Sequence, residues 1–231
     1  MTSRVARQHE LEAVGLFAGS GDDALAAVAA FARVLKLARK ESLFQEGEPY
    51  RGMFVVLAGL AVAFKLSAEG RMLILHVCRP GDSVGEVPLF EERDAGYPAH
   101  ARVTRDSELL FLPRDPFASF VRTHPEVAWR LSRSLAARIK EMGLRLEGVT
   151  LREVSSRLAR YLLREIDAAG EGGTEPPVLT LPIAKGAVAS YLGTAHETLS
   201  RTFARLVRER IIRVDGPRVT ILDKARLKRL L

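Results

Sequence analysis

The stretch KGAVASYLGTAHETLSRTFARL, Lys185 to Leu206, decides how the rest of the chain is read. Its apolar residues form two short helical sets on either side of one glycine. Val188 and Leu192 point inward from the first set, small Ala189 lets a second helix cross closely, and Gly193 permits a tight turn. The second set buries Leu199, Phe203 and Leu206. It leaves Glu197, Ser200 and Arg201, spaced i, i+3 and i+4, on one exposed face near the helix start. This is the outline of a helix-turn-helix, whose second helix enters a major groove by its N-terminal half. Arg201 has the reach and two-pronged geometry for a guanine edge, and Glu197 can accept from a cytosine amino group. Ser200 suits a base or a phosphate, while Lys185, Thr198, Arg205, Arg208 and Arg218 suit phosphates. Plainer readings stand beside these. Glu197 lies three residues after Thr194, the spacing of a capping box, and four before Arg201, the spacing of a surface ion pair.

The charge tips the balance. Of the 231 residues, those from Lys185 onward hold eleven Lys/Arg against four Asp/Glu. That last fifth carries the whole net charge of +7, and residues 1–184 are balanced. A basic module joined to a neutral one suggests a polyanionic partner, a basic tail that only keeps the protein soluble being the plainer reading of the charge. The helix-turn-helix outline with the DG hairpin behind it makes that partner double-stranded DNA. Elsewhere the composition sets bounds. An apolar fraction of 47% and a charged fraction of 27% are ordinary for a soluble globular protein. No run of 18 apolar residues appears, and MTSRVARQHELEAVG lacks the apolar stretch of a secretory leader. The cytoplasm is therefore the expected compartment, with no membrane partner. A single cysteine, Cys78, excludes an internal disulfide and, within one chain, an all-Cys zinc site or iron–sulfur cluster.

Upstream the texture changes twice. The first forty residues, with LFAGSGDDALAAVAAFARVLKLA, read as helix, Asp22 and Asp23 lying in a first turn. From Glu41 short β-like segments follow, broken by Gly and Pro; Val56–Leu66 and Met72–Val77 flank the turn SAEG as a hairpin does. Strands at this spacing argue for a small barrel, roll or sandwich. From about Asp115 a long helix is expected, reaching Val149. Its Leu135, Ile139, Met142, Leu146 and Val149 advance by 4, 3, 4, 3, the seam of a coiled coil, which favours a homodimer. Thr150 and Glu153 have the spacing of a capping box for the next helix, and IIRVDGPRVTIL reads as a hairpin turning at Asp215-Gly216.

HETLSRTFARLVRERII, preceded by LPIAKGAVASYLG, is similar to the DNA-binding helices of the CRP/FNR family of bacterial transcription regulators. LFQEGEP, MFVVLAGLAVAF and RPGDSVGEVPLF extend the likeness over nearly the whole chain. The resemblance implies an α+β fold: an N-terminal double-stranded β-helix, or jelly-roll-like β-roll, then a long dimerisation helix and a C-terminal winged helix-turn-helix. The corresponding domains are residues 1–114, 115–149 and 150–231. It also implies a homodimer, not an enzyme, that reads a palindrome and has RNA polymerase as a partner. Glu197, Ser200 and Arg201 match the E-x-x-S-R form of the FNR-like branch, which implies half-sites with a TGA core. His196 stands where cyclic-AMP-type members carry a further guanine-reading Arg. Its own candidate contacts are a phosphate or the flanking base pair, so the outer base is left open.

For the roll, the resemblance implies an effector pocket. Gly85 and Glu86 match the pair that meets a cyclic nucleotide's ribose. The phosphate-holding Arg-Ser pair falls on Tyr97-Pro98, and the base-contacting pair of the long helix on Met142-Gly143. A buried phosphate without a cation is strongly unfavourable, so cyclic AMP held in the usual way is not expected. Arg93 and Arg102 are the cations nearby in sequence that could substitute. The plainer role for Gly85-Glu86 is a turn and a carboxylate satisfying backbone donors. Haem, which some relatives use to sense gases, has His76, His100, His124 or Cys78 as candidate ligands, none in a recognisable haem pattern. Cys78 beside Val77 reads as a buried, inert thiol. A roll with no small ligand is a third expectation. A cupin-like metal enzyme needs clustered His and Glu ligands, whereas His76 and His100 are single, with Glu86 between them.

Overall fold

The computed structural model describes residues 2–91, 96–169 and 176–231, and the chain divides into two compact units, Met1–Ala137 and Arg138–Leu231. The first unit opens with β1 (Thr2–Val5), α1 (Gln8–Glu12), a single 3-10 turn and α2 (Asp22–Phe31). Then come β2 (Arg33–Leu37), β3 (Ser42–Phe44), β4 (Gly52–Ala58), β5 (Ala61–Leu66), β6 (Met72–Cys78) and β7 (Ser83–Val84). A 3-10 turn at Val87–Phe90, β8 (His100–Val103), β9 (Ser107–Pro113) and α3 (Arg114–Thr123) complete the run up to α4 (Pro125–Leu151).

The strands form two antiparallel sheets, β1-β2-β9-β4-β7 and β3-β8-β5-β6, a roll and not a closed barrel among the described residues. One apolar cluster fills the space between the sheets, including Phe44, Phe54, Val56, Ala101 and Leu109. A second joins the outer face of the larger sheet to the helices through Phe17, Leu25, Val28, Phe117 and Leu131. Burying such side chains is worth about 1.5–3 kcal/mol each, the main stabilising contribution to the roll.

The first forty residues are not all helical. Asp22 and Asp23 do open a helix, but it stops at Phe31, and Arg33–Leu37 is a strand between β1 and β9. Sheet pairing overrides the weak helix preference of its Leu and Lys, because Val34, Leu35 and Leu37 gain burial there. Val56–Leu66 is likewise two strands, separated at Gly59, and the second pairs with β6 across the turn at Ser67–Gly70. The segment read as one long helix from about Asp115 contains two, because α3 ends at Thr123 and Pro125 begins α4. A proline is tolerated in a first helical turn but breaks a helix interior. Thr150 lies inside α4 and so does not take the N-cap position expected of it. The next helix, α5 (Val154–Ala169), starts after a bend at Arg152.

In the second unit α5 is followed by β10 (Val178–Thr180), α6 (Lys185–Tyr191), α7 (His196–Arg208), β11 (Ile212–Asp215), β12 (Arg218–Ile221) and α8 (Lys224–Lys228). The three strands make a sheet in the order β10-β12-β11. The hairpin turns at Gly216-Pro217, one residue later than expected, because Asp215 still pairs with Arg218. α5 packs on α7, α8 and β10, with Leu158, Leu162, Leu199, Leu206, Val219 and Leu227 all buried. This is a winged helix-turn-helix.

Candidate nucleic-acid interface

The turn between α6 and α7 sets the reading helix. Gly193 has φ +61°, a left-handed conformation costly for any residue with a side chain. A Cβ there would also lie 2.9 Å from Cγ2 of Val149. Thr194 N–H returns to the Ala189 carbonyl at 3.0 Å, and Gly193 N–H to that of Ser190 at 3.2 Å. The Arg157 guanidinium, from α5, donates to the carbonyls of Leu192 and Gly193. A cation at the carboxyl end of α6 also meets the favourable end of its dipole. Arg157 has no motif in the sequence, and only the fold brings it to this turn.

α7 presents two opposite faces. Leu199, Thr202, Phe203 and Leu206 are buried, and Thr202 Oγ1 donates to the Thr198 carbonyl at 2.8 Å. His196, Glu197, Ser200 and Arg201 are exposed together at the N-terminal half, with Ala204 and Arg208 continuing the exposed surface. The plainer roles are not taken. The residue before α7 is Ala195, no side chain caps the helix, and Thr194 and Glu197 do not form a box. Among the described residues no ion pair joins Glu197 to Arg201, whose guanidinium lies 3.5 Å from Thr198 Oγ1.

The phosphate candidates differ in exposure and in partners. Lys185 is half-buried at the start of α6, its ammonium 5.7 Å from the centre of the Phe203 ring. Arg205 is half-buried and Arg208 exposed. Arg218 is paired with Asp215 at 2.9 Å across the wing turn, an exposed bridge that a phosphate can displace at little cost. His196 sits beside α6, where a Cβ on Gly186 would come within 3.7 Å of its Cδ2.

The seam residues of α4 are open. Leu135 is half-buried, while Ile139, Met142, Leu146 and Val149 are 71%, 47%, 67% and 48% exposed. Met142 and Gly143, the expected base-contacting pair, lie on exposed positions of the same helix.

The effector candidates of the roll are closed in. Gly85 has φ +80°, and a Cβ there would stand 3.0 Å from Phe44 and 3.1 Å from Tyr97. Glu86 is 1% exposed. Tyr97, which the resemblance matches to the first residue of the phosphate-holding pair, is buried and stacks face to face on Phe44 with ring centres 3.8 Å apart. Its hydroxyl donates to the Gly52 carbonyl at 2.6 Å. Arg102 lies over the Phe64 ring, 5.1 Å from its centre. Arg93 lies outside the described residues. Of the haem candidates, His100 Nδ1 accepts from the Glu46 N–H at 3.2 Å. His124 stacks on Phe120, its Nδ1 bonded at 2.9 Å to the carbonyl of that residue, Cys78 is fully buried, and His76 is 3.9 Å from Asp82. No group of three or more His, Cys, Asp or Glu side chains among the described residues could hold a metal ion, and no helix there is long and apolar enough to cross a membrane.

Comparison with known proteins agrees with both units. Residues 34–124 match the family model of the cyclic nucleotide-binding domain, and residues 156–230 that of the Crp-like helix-turn-helix domain. The chain is 28% identical to a CRP-like cAMP-activated global transcriptional regulator of Mycobacterium tuberculosis, over 95% of this chain and 97% of the relative. It is 30% identical to the transcriptional activatory protein AadR of Rhodopseudomonas palustris, over 83% of this chain and 78% of the relative. A solved CRP-family transcriptional regulator of Thermus thermophilus superposes with a TM-score of 0.69 at 28% identity, covering 84% of this chain and 95% of that one.

Proposed function

Because the chain belongs to the CRP/FNR family of transcription regulators, we propose that it acts as a cytoplasmic homodimer that reads a palindrome with TGA-containing half-sites and works with RNA polymerase. The observation that carries the reading is the exposed set Glu197, Ser200 and Arg201 on one face of α7, with both charged groups left unengaged by each other. On that face Arg201 takes a guanine edge, Glu197 a cytosine amino group, and Ser200 a base or a phosphate. His196, Lys185, Thr198, Arg205, Arg208 and Arg218 hold the flanking backbone, with His196 also able to reach the outer base pair.

The open seam supports the dimer. Ile139, Met142 and Leu146 are large apolar side chains left in water at coiled-coil spacing, and a second copy of α4 covers them. In the dimer the two reading helices occupy successive major grooves about 34 Å apart. Met142→Glu places a charge in that seam, and a monomer by analytical ultracentrifugation is expected. A dimer that persisted would move the interface elsewhere.

For the roll, which matches the cyclic nucleotide-binding domain model, we propose that cyclic AMP is not held in the usual way. The reading is supported by Tyr97, which the resemblance matches, with Pro98, to the phosphate-holding Arg-Ser pair and which is buried in an aromatic stack. The roll therefore acts through another effector or without one. Fluorescence anisotropy of the purified protein on a palindrome with TTGAT half-sites, against a scrambled duplex, tests the reading of DNA. Specific binding is expected, and equal affinity for both duplexes would overturn it.

A further inference from the structure

The second unit contains a polar node, centred on a buried tyrosine and partly open to solvent at its ionic groups, that DNA contact does not explain. Tyr191, the last residue of α6, is 4% exposed, and its hydroxyl donates to Glu141 of α4 at 2.5 Å. Arg164 of α5 donates to the same carboxylate oxygen and also meets Glu165, itself buried, at 3.3 Å. The Arg145 guanidinium, one turn beyond Glu141 on α4, lies 4.0 Å from the centre of the Tyr191 ring and donates to the Tyr191 carbonyl at 2.9 Å. Tyr161 of α5 closes the group, its ring centre 5.6 Å from that of Tyr191. Three helices thus meet at one residue. Burial pushes the Tyr191 hydroxyl up to about 12, so it remains a donor at neutral pH.

Such a node is a poor way to gain stability. The Glu141 and Arg164 side chains are partly desolvated and partly screened by water, so the pair itself adds little, and apolar residues of the same volume often hold helices together as well. What a hydrogen-bonded ionic node does that an apolar patch does not is select one geometry, because each polar group loses heavily if a helix turns or slides. Here the selected geometry is that of α6 against the C-terminal half of α4. The carboxyl end of α6 is gripped throughout: Tyr191 by Arg145, and Leu192 and Gly193 by Arg157. α7 follows directly through the four-residue turn 192–195. The same half of α4 carries the exposed Ile139, Met142 and Leu146 on another face.

We infer that Glu141, Arg164 and Tyr191 are positioning residues for operator reading, which fix the angle between the reading helix and the dimer seam and so set the half-site spacing that the dimer accepts. The inference rests on the proposed palindrome-reading dimer. In that dimer both helices must enter their grooves together, so a change of angle matters for the pair and little for one half-site.

The test uses the full chain and two variants, Tyr191→Phe, which removes one hydroxyl, and Glu141→Gln, which keeps shape and removes charge. Circular dichroism and thermal melting establish that each folds, and Tyr191→Phe carries the test should Glu141→Gln not fold. Anisotropy is then read on palindromes with the native spacing, with one base pair added or removed, and on a duplex with a single half-site. The wild type is expected to discriminate between the spacings. The variants are expected to lose about tenfold of that discrimination, the size of a typical coupling between two sites, and to keep the single half-site affinity. Unchanged discrimination overturns the inference. Discrimination and single half-site affinity falling together also overturn it, since the node would then only hold the unit folded. A wild type that binds no palindrome fails in a different place, because the dimeric reading itself would be wrong.

Discussion

The roll and the winged helix treat their conspicuous residues in opposite ways. On α7 His196, Glu197, Ser200 and Arg201 are exposed, with Glu197 and Arg201 unpaired with each other among the described residues. In the roll the corresponding candidates are packed inward: Gly85 against Phe44 and Tyr97, Glu86 almost wholly buried, and Tyr97 stacked and hydrogen-bonded. A surface that leaves charged groups in water can exchange water for DNA at little cost. A site whose polar position is filled by a buried ring must lose that packing before it admits an anion. The difference is consistent with DNA recognition by the second unit, whose helix-turn-helix family model matches residues 156–230.

Tyr97→Ala tests the closed side most severely. Removing a buried ring costs about 3–5 kcal/mol, so the roll should melt early in urea or heat while specific DNA affinity, measured below the transition, is kept. A variant as stable as the wild type would mean that the stack is not what fills the roll. Arg201→Ala tests the open side. Each half-site should lose about 1–3 kcal/mol, bringing the palindrome close to the scrambled duplex in anisotropy, with the fold intact. Retained preference would place reading on another face.

Gly193→Ala sharpens the comparison within the second unit. The left-handed backbone and the short approach to Val149 should together destabilise that unit by about 1–3 kcal/mol in thermal melts, with DNA affinity falling in proportion. Lys185→Ala should have the smallest effect, weakening all duplexes alike and reducing the salt slope by about one phosphate contact per subunit. A loss confined to the palindrome would instead make Lys185 a base reader.

The open face was more legible than the closed one. Glu197, Ser200 and Arg201 share a face because of local helical spacing alone, and the burial of Leu199, Phe203 and Leu206 follows from the same period. Gly193 and the wing turn carry local signals as well. The roll's hairpin around Ser67–Gly70 was readable from its turn, but Arg33–Leu37 was not, since its strand state depends on partners at residues 2–5 and 107–111. The break before Pro125 had a signal in proline's missing donor, and the seam spacing beyond it drew the reading toward one continuous helix. Nothing local marks the Glu141–Arg164–Tyr191 node, whose members come from three helices and show no periodicity relative to one another. Ala195 before α7 shows the reverse case, because the capping spacing of Thr194 and Glu197 was present and the bonds were not made.

The most direct measurement is anisotropy of the ligand-free protein on the TTGAT palindrome, repeated with saturating cyclic AMP. Tight, sequence-specific binding without the nucleotide, unchanged when it is added, is the expected result. Specific binding that arises only with cyclic AMP would contradict it, since the aromatic stack at Tyr97 would then have to open for the ligand.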